Sequence, residues 1–160
     1  MNIEISNAPA DDSATLAEVI ALLHRVNLPD EGVAQHFRQF LLARADNKII
    51  GCVGLEIYGE AALLRSLAVA PEQQKTGLGR RLTEQALELA RTNGLHEIAL
   101  LTTTAAEFFK KEFGFQPAER KLYEERFAQS IEWHLPRCAT ALFLALTVSF
   151  SDLMTGGIPA

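Results

Sequence analysis

A short polar loop, Pro71-Glu72-Gln73-Gln74-Lys75-Thr76-Gly77-Leu78-Gly79-Arg80-Arg81, lies between Leu67-Ala68-Val69 and the periodic apolar set Leu82, Ala86 and Leu89. The run reads as a strand, a loop and an amphipathic helix. Two close glycines at the first turn of a helix leave backbone N–H groups free and aligned with the positive end of the helix dipole. Such a loop cradles an anion, and phosphate is its natural guest. A Walker loop would need Lys-Ser/Thr after its last glycine, whereas Lys75-Thr76 precedes Gly77. A Rossmann fingerprint would need a small residue where bulky Leu82 stands. The remaining alternatives are a different phosphate-bearing guest or glycines that only make a tight turn.

The elements around this loop must position it. Ile3 and Ile5 alternate as a first strand, and Asp11, Asp12 and Ser13 offer starts for a helix through Leu16, Val19, Ile20 and Leu23. A turn over 27–32 leads to a short helix with Val33, Phe37 and Phe40, then a strand from Phe40 to Ala45. Asp46-Asn47-Lys48 reads as a hairpin loop before a strand over Ile49 to Tyr58, and Gly59-Glu60 turns the chain into a strand over Ala61 to Val69. After the loop's helix, Thr92-Asn93-Gly94 is a C-cap signal and His96 to Thr102 a buried strand. Thr103 or Thr104 is expected to cap a helix through Ala105, Phe108 and Phe109, and Tyr123 to Trp133 has helical periodicity. Ala139 to Phe150 reads as the last strand.

With 160 residues the chain is expected to form a single domain over 1–150 with a flexible tail over 151–160. A net charge of -5 argues against a nucleic-acid surface, although Lys75, Arg80 and Arg81 make the cradle locally basic. Cys52 and Cys138 sit in apolar segments and read as buried free thiols. The N-terminus lacks a signal-peptide pattern, and the longest apolar run, Ala139 to Phe150, is too short to span a bilayer. The expectation is a soluble, cytoplasmic protein with no membrane partner. His24, His36, His96 and His134 are scattered without metal spacing, so no metal is expected.

Taken together, Gln74-x-x-Gly77-x-Gly79 after a Leu-Ala-Val strand, the element order and Phe108-Phe109-Lys110-Lys111-Glu112-Phe113-Gly114-Phe115 resemble the GNAT acetyltransferases over nearly the whole chain. The resemblance implies an α/β (α+β) fold with a mixed, mostly antiparallel central sheet of six to seven strands and helices on both faces. It implies acetyl-CoA as cosubstrate, with the pantetheine arm along Leu67, Ala68 and Val69 and the pyrophosphate on Gln74, Lys75, Thr76, Gly77, Leu78, Gly79 and Arg80. Leu28-Pro29-Asp30-Glu31-Gly32-Val33, Gly54 to Gly59, Ala62 to Val69 and Leu101 to Ala105 further resemble the subgroup known as arsenic-resistance N-acetyltransferases. The implied activity is N-acetylation of a small-molecule amine, an amino acid or an arsenic-containing analogue. The alternative is an acyl-CoA-binding sensor or regulatory module without turnover. A homodimer joined through Ala139 to Phe150 is a third reading.

Acetyl transfer needs a neutral amine, a polarised thioester carbonyl and a proton for the leaving thiolate. Glu56 is the base candidate, because it interrupts an apolar strand; the alternative is a carboxylate facing solvent. Arg65 puts a charge inside a strand expected at the sheet centre, where it needs either Glu56 or a substrate carboxylate as partner. By the resemblance, Phe37 flanks the acceptor entrance, and Thr102 stands where relatives carry an Asn that touches the pantetheine arm. Phe109, or Lys110 in a shifted alignment, occupies the place of the family's acidic Tyr. Neither is a phenol, which leaves Tyr58, Tyr123, water or unassisted thiolate release.

Overall fold

Asp12 opens the first helix by turning its carboxylate onto the amides of Ala14 and Thr15, both at 3.1 Å, and its second oxygen onto the Thr15 hydroxyl at 2.9 Å. These bonds satisfy two of the helix's four free donors, which is why the helix begins at Ser13. The Thr15 amide and hydroxyl hold the Asp12 carboxyl below its ordinary 3.8. Its stabilisation is therefore present above pH 3.8 and lost as pH falls through the lowered folded value. Asp12→Ala is expected to lower the melting temperature at neutral pH, with a deficit that narrows in acid melts below pH 3.8.

The computed structural model describes residues 2–139 and 141–148. In chain order the main elements are β1 (Ile3–Asn7), α1 (Ser13–Arg25), α2 (Val33–His36), β2 (Phe40–Ala45), β3 (Lys48–Tyr58) and β4 (Ala61–Val69). They continue as α3 (Leu78–Thr92), β5 (Glu97–Thr102), α4 (Ala106–Phe113), β6 (Gln116–Pro117) and β7 (Leu142–Thr147). The seven strands form one sheet in the order β1-β2-β3-β4-β5-β7-β6. The sheet is mostly antiparallel, with β4 and β5 parallel. The chain divides into two compact units, Met1–Leu55 with Arg65–Ala86 and Glu56–Leu64 with Leu87–Ala160.

In the first unit, Asp46 and Asn47 both adopt left-handed backbone, with φ of 53° and 63°. Two consecutive positive φ values make the tight hairpin whose twist matches its strands. Across that hairpin Phe40 lies opposite Gly54, with its ring over the bare Cα. The buried residues Val19, Leu22, Leu23, Val33, Phe37, Phe40, Leu42, Leu55 and Leu82 supply the apolar interior.

In the second unit, α3 ends in a Schellman motif. Gly94 sits at φ 72°, with Leu95 N–H donating to the Ala90 carbonyl and Gly94 N–H to the Arg91 carbonyl, each at 3.0 Å. Ala61, Leu63, Ala99, Phe127, Trp133 and Phe143 form a buried cluster, against which Tyr58, Leu101 and Tyr123 pack. Three expectations change here. Tyr123 to Trp133 is not an α-helix but a series of turns between 3-10 segments at Arg120–Tyr123 and Glu132–His134. Its aromatics fill the cluster, with Phe127 and Phe143 each 5.3 Å from the Trp133 ring, so their spacing reflects a common target rather than a helix face. Neither Thr103 nor Thr104 caps α4: its N-cap position is Ala105, without a side-chain cap bond, and Thr102 Oγ1 accepts from the Ala105 amide at 2.9 Å just ahead of the helix. The last strand is shorter than Ala139 to Phe150, running Leu142–Thr147, and Thr140 and the expected tail over 151–160 lie outside the described residues. Among those residues no helix is long and apolar enough to cross a membrane.

Candidate active site

The cradle lies in the first unit. Val69 ends β4, a 3-10 turn over Pro71–Gln73 follows, and α3 begins at Leu78. The Gln74 side chain ties the loop back to the strand, donating to the Val69 carbonyl at 3.1 Å, and Thr76 Oγ1 donates to the Gln73 carbonyl at 2.6 Å. Lys75 and Gly77 both have positive φ, 66° and 86°, which reverses the chain so that it enters the helix. A Cβ on Gly77 would meet nothing within 4 Å, so the surface over this turn is open. Arg81 N–H makes an early helical bond to the Gly77 carbonyl at 3.1 Å, and the amides of Leu78 and Gly79 lie ahead of it in the first turn, where a helix supplies no backbone acceptor of its own.

Lys75, Thr76, Arg80 and Arg81 are exposed around this turn, and Arg80 Nε donates to Glu84 at 2.9 Å one turn along the helix. The helix start is seated on β3 because Gly51 has no side chain: a Cβ there would lie 3.0 Å from Leu82 Cδ1 and 3.2 Å from the Ala68 carbonyl. At the loop's other end, Glu72 accepts from Arg25 at 2.8 Å, and that bond holds the Glu72 carboxyl below the usual carboxylate range.

Arg65 is buried on β4, 2% exposed. Its Nε donates to Ser66 Oγ at 3.0 Å, and a terminal nitrogen donates to the Pro29 carbonyl at a longer 3.4 Å. Neighbours in a regular strand face opposite ways, yet these two side chains meet. Ser66 has φ 58°, a left-handed backbone outside the regular strand range, and its hydroxyl accepts from Arg65. The Ser66 carbonyl also accepts from Cys52 Sγ at 3.2 Å, and burial pushes the Cys52 thiol up to about 12, so it stays protonated. Phe37 is buried, its ring 5.7 Å from Phe40.

The second unit holds the remaining candidates. Glu56 does not face solvent: it is 0% exposed, and its Oε1 accepts from the Tyr58 hydroxyl at 2.7 Å. The Tyr58 ring meets Phe127 edge-on at 5.9 Å. Thr102 Oγ1 accepts from the Ala105 amide at 2.9 Å, ahead of α4. The Phe109 ring is buried between Phe108 and Phe115, at 5.1 and 5.6 Å. Lys110 pairs with Glu107 at 3.3 Å. Tyr123 donates to Glu97 at 2.8 Å, and burial followed by that carboxylate pushes its phenol up. The β4–β5 ladder covers Ala61↔Glu97 to Leu63↔Ala99.

The Tyr58–Glu56 bond was available in the sequence as an i, i+2 pair on one face of a strand. Nothing in the sequence marks the left-handed Ser66, since serine is an ordinary strand residue with no special claim on that conformation.

A helix N-terminus cradle fed by a strand of a mixed, mostly antiparallel sheet defines a class, and the Acetyltransferase (GNAT) family pattern matches residues 10–115. The chain belongs to that family. It is similar to an uncharacterised N-acetyltransferase of Chlorobaculum tepidum, 32% identical over 97 residues, or 60% of this chain and 61% of that one. It is also similar to the amino-acid acetyltransferase of Neisseria meningitidis, 35% identical over 114 residues, covering 69% of this chain and 25% of that one. The chain thus spans less than two thirds of the length of either relative. Among solved structures, N-acetylglutamate synthase from Neisseria gonorrhoeae with coenzyme A and N-acetylglutamate superposes with a TM-score of 0.74 at 22% identity, over 93% of this chain and 36% of that one. A GNAT-family acetyltransferase from Staphylococcus aureus superposes with a TM-score of 0.72 at 16% identity, over 92% and 100%.

Proposed function

We propose that this chain transfers the acetyl group of acetyl-CoA to the amine of a small, carboxylate-bearing molecule of the amino-acid class. The observation that carries the reading is the pairing, within one unit, of an open helix N-terminus cradle with a buried arginine on the strand that feeds it. The cradle suits a pyrophosphate, its amides supplying donors and Lys75 and Arg80 supplying charge. Leu67, Ala68 and Val69 offer backbone groups to the pantetheine arm. Arg65 suits a carboxylate, which would take over the long contact to Pro29. Glu56 is the proton acceptor. Relatives named amino-acid acetyltransferases support the same acceptor class.

Phe109 and Lys110 offer no phenol, and the phenols of Tyr58 and Tyr123 both donate to carboxylates. Release as thiolate therefore fits these residues best, a thiol being a good leaving group. An arsenic-containing amino acid falls in the same acceptor class and belongs in the same test. Thiol release from acetyl-CoA should appear with one or a few members of a panel of amino acids that includes such an analogue. Coenzyme A binding without release across the whole panel would instead favour a sensor.

A further inference from the structure

Glu56 has no surface that a water molecule, let alone an ammonium group, touches, since its exposure is 0%. A base so placed cannot receive a proton by direct contact with an acceptor. Tyr58 reaches it from a half-buried position, its hydroxyl donating to Glu56 Oε1 at 2.7 Å, short enough for proton transfer. The two share one strand face, being two residues apart on β3. The edge-on contact with Phe127, itself stacked on Tyr123 at 6.1 Å, fixes the Tyr58 ring from the other side.

The geometry points to Tyr58 as a catalytic residue, a proton relay that links the acceptor's ammonium group to the buried carboxylate of Glu56. The inference rests on the acetyl-transfer reading. The ammonium gives a proton to the Tyr58 oxygen as the Tyr58 hydroxyl proton passes to Glu56, so the phenol ends neutral and Glu56 protonated. The freed nitrogen lone pair then attacks the thioester carbonyl carbon of acetyl-CoA. The C–N bond forms, the C–S bond breaks, and its electron pair leaves on sulfur. The second proton of the nitrogen goes to that thiolate. Glu56 returns its proton through the phenol to solvent after product departs. The net change is one amide, one thiol and one proton released.

The relay makes Tyr58 matter only while the acceptor arrives protonated. Other charged or titratable groups of the same unit bearing on this pair are Tyr123 beyond Phe127, with Glu97 and Arg126 joined to it. None of them is altered by Tyr58→Phe, which removes one oxygen and keeps the ring on Phe127. With the amino acid that gives the fastest thiol release, Tyr58→Phe is expected to lower kcat by about 100-fold or more at pH 7. The loss should shrink steadily as pH approaches the acceptor amine's own pKa, and coenzyme A affinity measured by calorimetry should be unchanged. Glu56→Gln should show the same pH-dependent rescue. If Tyr58→Phe binds coenzyme A normally and keeps its full kcat at pH 7, or loses the same factor at every pH, the relay is overturned while acetyl transfer stands. If Tyr58→Phe loses coenzyme A binding, the residue is structural and the relay is likewise overturned. If the unaltered protein releases no thiol with any amino acid, the acetyl-transfer reading falls, and the relay with it.

Discussion

Exchanging Arg65 for lysine is expected to raise KM for a carboxylate-bearing acceptor by about 10- to 100-fold, with kcat and KM for acetyl-CoA changed by less than about twofold. Lysine keeps the charge but loses the planar fork that grips two carboxylate oxygens, and a charge-assisted hydrogen bond is worth roughly 1.5–3 kcal/mol. At about 1.4 kcal/mol per decade that loss gives the stated range. The bond between Arg65 Nε and Ser66 Oγ is internal to the strand, and a lysine ammonium can approximate it, so stability should fall far less than acceptor affinity. Steady-state kinetics with both substrates, set beside a thermal melt, checks this. A large drop in melting temperature with unchanged KM would mean that Arg65 serves the fold alone.

The second large effect is expected at Gly54. A Cβ there would come within 2.5 Å of Phe40 Cδ1 and closer still to Cε1 and Cζ, an overlap no small adjustment relieves. Phe40 is fully buried against Phe37, so its ring cannot move aside without disturbing a second aromatic. Gly54→Ala should therefore cost about 3 kcal/mol, at the upper end for overpacking, and lower the melting temperature by about 6–12 °C. The cause can be isolated with a second substitution. Phe40→Leu should cost less in the Gly54→Ala background than alone, because the smaller side chain removes the clash as well as the packing. Strict additivity would place the damage in strand backbone rather than in the ring.

Elements set by local chemistry are legible in the sequence itself. Asp12 as a helix cap, Asp46-Asn47 as a hairpin and Gly94 as a helix stop all act within a few residues of themselves. The strand-loop-helix run from Leu67 to Leu89 belongs with them, since the glycines that turn the chain into α3 are contiguous with it. Legibility fails where long-range packing decides. Phe127, Ile131 and Trp133 imitate a helix stripe, yet Ile131 is exposed while Phe127 and Trp133 are drawn into a cluster with Ala61, Ala99 and Phe143. Alternation cannot tell whether Glu56 is buried, because β3 is buried at every position from Ile49 to Glu56. Neither Thr103 nor Thr104 caps α4, whose N-cap position is Ala105 without a side-chain bond; the Thr102 hydroxyl takes the Ala105 amide instead, and propensity cannot choose among three consecutive threonines.

The left-handed residue at Ser66 also divides β4 into two stretches that obey different mutational rules. From Ala61 to Ser66 every position is buried, whereas Leu67, Ala68 and Val69 run half-buried, buried, half-buried. Saturation of the strand with polar substitutions should therefore meet uniform intolerance up to position 66 and a sawtooth beyond it, with position 68 the deep notch. One backbone angle acts as a phase slip: it lets a single strand serve as interior wall along one half and as a half-exposed ledge, the part proposed to carry the pantetheine arm, along the other.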